Sequence, residues 1–150
     1  MSAEAQEQSA AVVSEAVGGG SISVLSRLTS GASRETWTCV VDGLPVVVQR
    51  QRPGDDRDMA IVAQVVRAAG AAGVPVPELL GFVPGDGGAA TMITRHVSGE
   101  TIARKILRDD AYCEARPRLV ADLGRALARV HRIDPSDTPG QVQADPLDAL

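Results

Sequence analysis

Three short segments of this 150-residue chain carry residue types that could hold a phosphate-bearing ligand, and they follow one another in a fixed order. The first is a Gly/Ser turn, Ser30, Gly31, Ala32 and Ser33, with strand signals on both sides. Glycine permits close backbone approach and positive φ, so such a turn can offer N–H groups and a hydroxyl to an anion. The second is an apolar strand that ends on a cation. Val46, Val48 and Arg50 share one face at period two. A guanidinium keeps its charge and can grip two phosphate oxygens, so Arg50 could meet a phosphate, the plainer reading being a surface arginine at a strand end. Arg52 has the same parity and is its rival. In the third segment the apolar strand Met92, Ile93 and Thr94 runs into Arg95, His96 and Val97. Backbone groups and apolar contacts there suit a planar base. Together the three fit a nucleoside triphosphate held under a β-hairpin and against a hinge.

Other eye-catching residues have plainer readings. Gly18, Gly19 and Gly20 follow no strand and open no helix, so a flexible joint is expected rather than a phosphate cradle. Trp37, the sole tryptophan, is read as packing under the sheet. His96 is read as solvent-facing and His131 as a helix-end residue suited to the dipole. Arg104, Lys105 and Arg108 form a basic helix face that solvent alone accounts for, with phosphate contact the sharper alternative. Cys39 and Cys113 lie far apart without metal-ligand spacing and read as reduced thiols. No catalytic residue and no metal ligand is assigned.

The elements that must position these residues follow from pattern. Ile22, Val24 and Leu28 begin a strand, and residues 36–41 form a second one rich in β-branched side chains. Asp42-Gly43 is a strong hairpin signal. Residues 44–51 make a third strand, whose valines predict burial on both faces. A helix over residues 57–72 carries Met59, Val62, Val66 and Ala69 on one face. Two further strands, 78–83 and 89–96, complete an antiparallel set of five. Helices over 101–107 and 116–133 follow, the longer one striped with Leu119, Leu123, Leu127 and Val130. The fold class is α+β.

Composition narrows the function classes. The net charge of -4 and 2% aromatic content disfavour a nucleic-acid binder, which needs a basic face or stacking platforms. No apolar run approaches the ~20 residues of a membrane span, and the acidic, polar N-terminus is no secretory signal. A cytoplasmic location is the expectation.

The order of strand, Gly/Ser turn, strand, hairpin, strand, helix, two strands, linker and helices resembles a kinase small lobe. Four segments go further and resemble the aminoglycoside phosphotransferase family. They are the turn region 28–37, the Ala-Gly-Val-Pro-Val-Pro stretch ending at Pro77, the Gly99-Glu100-Thr101-Ile102 opening of the large lobe, and residues 123–131 of its first helix. The resemblance implies ATP, magnesium and phosphoryl transfer to a small-molecule hydroxyl. It assigns Ser30, Gly31, Ala32, Ser33 and Arg50 to phosphate, and Thr94, Arg95 and Val97 to adenine. Residues 1–20 would be a leader helix with a flexible joint, 21–97 the small lobe, 98–134 the linker and first large-lobe helices, and 135–150 an irregular tail. The family's catalytic loop and metal-binding Asp would lie beyond this chain, which therefore reads as an N-terminal half. One departure stands out. Val62 falls where the helix should offer a carboxylate to the strand cation, so either Asp58 substitutes or that ion pair is absent. The alternative reading is a non-catalytic interaction module, with self-association through the 116–133 helix.

Overall fold

The computed structural model describes residues 7, 10–11, 13–14, 18–28, 34–52, 54, 58–85, 89–134 and 136. The turn residues Ser30, Gly31, Ala32 and Ser33, and the tail from residue 137, lie outside the described residues. Five strands form one antiparallel sheet: β1 (Ile22–Leu28), β2 (Arg34–Val41), β3 (Leu44–Gln51), β4 (Leu79–Val83) and β5 (Thr91–Arg95). Their order is β1-β2-β3-β5-β4. Helix α1 (Met59–Ala71) lies between β3 and β4, and α2 (Ala103–Arg108) and α3 (Arg116–Val130) follow the sheet.

The β2–β3 hairpin closes on Asp42 and Gly43, whose φ values of 49° and 81° are both left-handed. Two such residues give the tight turn whose twist matches antiparallel strands. Asp42 also fixes what precedes β1. Its carboxylate accepts from the Ser21 N–H at 2.8 Å, and its own N–H donates to the Ser21 carbonyl at 3.0 Å. Gly20 is seated so closely that a Cβ there would lie 2.5 Å from Asp42 Oδ2 and 2.7 Å from Val41 Cγ1. The glycine triplet is thus a defined turn pinned to the hairpin, where the sequence suggested a loose joint.

That turn returns the N-terminal segment across the sheet. Glu7, Ala10, Ala11, Val13 and Ser14 are helical, and Val13 is 1% exposed. It joins Trp37, Cys39, Val41, Val46, Val48 and Ile93 in the main core. Pleating puts alternate residues on opposite faces, so this core defines one side of the sheet. The other side carries Met92, which packs against Met59 and Ala63 of α1, with Leu79 and Phe82 of β4 beside them. A fully buried Val, Ile or Met in these clusters contributes roughly 1.5–3 kcal/mol.

Both ends of α1 are capped. Asp58 precedes the helix and its carboxylate accepts from the Ala60 and Ile61 N–H groups at 2.8 and 3.3 Å. At the far end Gly73 adopts φ 75°, with Val74 N–H bonded to the Ala69 carbonyl and Gly73 N–H to that of Gly70. This is the Schellman pattern, and it stops the helix where the glycine predicts.

Candidate functional site

The two faces of the β1–β3 half of the sheet are not equivalent. On the Val13 side, Trp37, Cys39, Val41, Val46 and Val48 are all buried. On the α1 side, the alternate residues Thr36, Thr38, Val40 and Val47 are only half-buried, and Leu28, cross-strand from Thr36, is 43% exposed. The reason is the position of α1, which among the described residues packs mainly on β4 and β5 and not on β1–β3. The result is an open apolar and hydroxyl-bearing surface beside the helix. Its far edge is β5, where Thr94 is buried opposite Val47.

β5 leads directly into the linker. Arg95 N–H donates to the Glu78 carbonyl and His96 N–H to the Pro45 carbonyl. Those bonds hold the strand end in place. The Val97 N–H has no backbone partner among the described residues, and its side chain is 65% exposed. The Arg95 side chain is not available as a free cation, because its Nε sits 2.7 Å from Glu78 Oε2. Of the three residues expected at adenine, Thr94 is buried at the edge of this face, Val97 has an amide without a backbone partner among the described residues, and Arg95 is paired with Glu78.

The linker is closed by Glu100. Its carboxylate accepts from the Thr101 and Ile102 N–H groups at 2.9 and 3.0 Å and pairs with Lys105 Nζ at 3.0 Å. The hydrogen bond from the Ile102 amide, together with the bond and charge of the Lys105 ammonium, holds its carboxyl below the usual glutamate range. Glu100 in turn raises the Lys105 ammonium above its ordinary value. Lys105 also lines a shallow hollow of about 450 Å³ with Arg104, Arg108 and Asp109. This is the basic face expected on that helix. Arg116 ties α2 and α3 together by donating to the Leu107 and Asp109 carbonyls. Helix α3 returns to the small lobe through Arg129, which donates to the Gly73 carbonyl at 3.0 Å, next to the end of α1.

Arg50 does share a face with Val46 and Val48, as its parity requires, but that face is the one closed by Val13. Its cross-strand neighbours there are Glu35 and Thr91, and Glu35 is already paired with Arg27 at 2.8 Å. A run of valines shows that a strand is buried without showing which face a ligand can reach. On the α1 side of β3 the corresponding positions are Gln49 and Gln51. Helix α1 presents the apolar Met59, Val62 and Ala63 to the sheet. Asp58 is engaged at the helix start, so it does not replace the missing helix carboxylate. Among the described residues, no ion pair joins α1 to the sheet.

A residue not singled out from the sequence occupies that side. Arg34 opens β2 on the same face as Thr36 and Thr38. Its Nη1 lies 3.5 Å from Gln49 Oε1, and its buried Nε has no hydrogen-bond partner. Among the described residues, no group of three His, Cys, Asp or Glu side chains could hold a metal ion. Among the same residues, no helix is long and apolar enough to cross a membrane.

Comparison with known proteins agrees with this architecture. No curated protein matches the sequence. Among solved structures, the aminoglycoside phosphotransferase APH(4)-Ia superposes with a TM-score of 0.60 at 20% identity, covering 87% of this chain and 40% of that one. A thermostable variant of it, in ternary complex with AMP-PNP and hygromycin B, gives 0.58 at 21% identity over 84% and 39%. A candidate fructosamine-3-kinase from Thermobifida fusca gives 0.51 at 20% identity over 64% and 33%. The chain thus spans 33–40% of the length of these structures, and the likeness establishes a kinase-like small lobe followed by helices. The family model for the phosphotransferase enzyme family matches residues 24–147, nearly the whole chain, and the chain belongs to that family.

Proposed function

We propose that this chain is the ATP-binding part of a small-molecule phosphotransferase that moves the γ-phosphoryl group to a hydroxyl. The observation that carries the reading is the open face of β1–β3, bounded by α1 and by the linker that starts at His96. Leu28, Val47 and Thr94 suit the flat faces of adenine, and the unpartnered Val97 amide suits its hydrogen-bonding edge. The turn Ser30, Gly31, Ala32 and Ser33 would lie over the phosphates. The AMP-PNP and hygromycin B held by the APH(4)-Ia variant support a nucleotide and a small hydroxyl compound as partners. Magnesium, when bound, would neutralise charge on the phosphates as phosphoryl transfer requires. The described residues supply no carboxylate cluster for it. What these residues do is bind, orient the base and exclude water from one side of it.

The second reading, a non-catalytic interaction module, draws on α3. Leu123, Leu127 and Val130 are 60%, 55% and 44% exposed, a stripe suited to a partner surface. Calorimetric titration of residues 1–150 with AMP-PNP separates the two. The phosphotransferase reading expects saturable binding but no turnover of radiolabelled ATP against a panel of hydroxyl compounds. Absence of binding at millimolar nucleotide would favour the interaction module.

A further inference from the structure

We propose that Arg34, backed by Gln49, is the cation that meets the nucleotide phosphates, and this rests on the nucleotide-binding reading above. Arg34 is the first residue of β2, immediately after the turn proposed to cover the phosphates. Its cross-strand partner is Gln51, and the alternation along β2 puts it in line with Thr36 and Thr38 on the open face. Arg50 lies on the opposite face, cross-strand from Glu35 and on the side that carries Trp37 and Val48.

The state of the Arg34 guanidinium is the stronger argument. The residue is half-buried, yet among the described residues no carboxylate pairs with it. Its Nε is shut away from solvent without a partner, and Nη1 has only the long contact with Gln49 Oε1. A partly buried cation without a counter-ion is costly, because it gives up hydration for nothing in return. An oxyanion at this place would supply both missing interactions, since a guanidinium presents its N–H groups as a fork that matches two phosphate oxygens. Gln49 offers a neutral amide oxygen where a carboxylate would compete with the incoming anion. It is a positioning residue and not itself a phosphate contact.

The test uses calorimetric titration of the intact protein with AMP-PNP, inorganic tripolyphosphate and adenosine. Arg34→Gln should weaken AMP-PNP and tripolyphosphate by about tenfold or more and leave adenosine unchanged. Arg34→Lys, which keeps the charge but loses the fork, should fall between. Arg50→Gln should stay within about twofold of the parent for all three ligands. Equal affinity of the parent and Arg34→Gln for AMP-PNP would overturn the assignment while leaving nucleotide binding intact, as would a larger loss in Arg50→Gln. If the parent binds tripolyphosphate but not AMP-PNP, the adenine reading fails. Arg34-dependence of the tripolyphosphate signal then still decides the cation. Binding of neither ligand overturns both. A readout that needs no variant is arginine modification by phenylglyoxal, followed by peptide mass spectrometry. AMP-PNP should protect Arg34 selectively, and protection of Arg50 instead would reverse the conclusion.

Discussion

Asp58 has two roles open to it from the sequence, helix cap or partner to a strand cation, and the geometry of α1 decides between them. A carboxylate that accepts two amides at a helix start is held where the dipole favours it. The helix face that meets the sheet is left to Met59, Val62 and Ala63. Glu100 solves a similar problem at the linker, and there the consequence can be measured. Amide bonds and Lys105 depress its folded-state pKa. The stabilisation it gives is therefore complete above the ordinary glutamate pKa and is lost as pH falls through the lowered folded value. Lys105, with its pKa raised, contributes through neutral pH and loses that share only as pH rises past its folded value. Glu100→Gln should melt earlier than the parent at pH 7, and the two melting curves should converge in acid. A gap that stays constant down to about pH 2, below the range of carboxylate titration, would show that the charge contributes nothing.

At the scale of elements, the local signals were readable and their limits were set from elsewhere. β3 runs over Leu44–Gln51 as its valine run and the Asp-Gly turn indicate. β2 starts at Arg34, two residues before its β-branched stretch, because the ladder continues to the Arg34–Gln51 pair. That extension is what gives Arg34 a face, and no propensity of its own residues would have revealed it. Helix α3 ends at Val130, three residues short of the pattern, where His131 becomes the cap. Its stripe shows what periodicity can and cannot say. Spacing aligns Leu119, Leu123, Leu127 and Val130, while their exposure depends on neighbours that spacing does not name. Arg129 provides the described hydrogen bond from α3 to the small lobe, through the Gly73 carbonyl, which leaves the stripe uncovered. Residues 1–150 alone should therefore bind a hydrophobic dye or self-associate in sedimentation. Leu123→Lys with Leu127→Lys should abolish both behaviours. A monomer that binds no dye would show that the stripe finds cover within the chain.

Across the whole molecule, the sheet is a partition with unlike sides. Alternation along each strand predicted two faces. Which one is sealed depends on Val13, brought back by the glycine turn that Asp42 pins. The N-terminal segment is thus part of the core, and the sequence reading of a leader missed this because Val13 carries no long-range signal. Val13→Ala should destabilise the fold by about 1–3 kcal/mol in urea titration, with little effect on AMP-PNP affinity. A neutral result would mean that the segment packs only loosely. The same partition governs what light can report about this protein. Trp37, the sole tryptophan, is 5% exposed and lies on the sealed side, its indole N–H without a partner. Its emission should be blue-shifted and should follow unfolding closely. A nucleotide arriving on the opposite side would leave it almost unchanged, so a silent fluorescence titration would describe the location of the tryptophan and not the absence of a ligand.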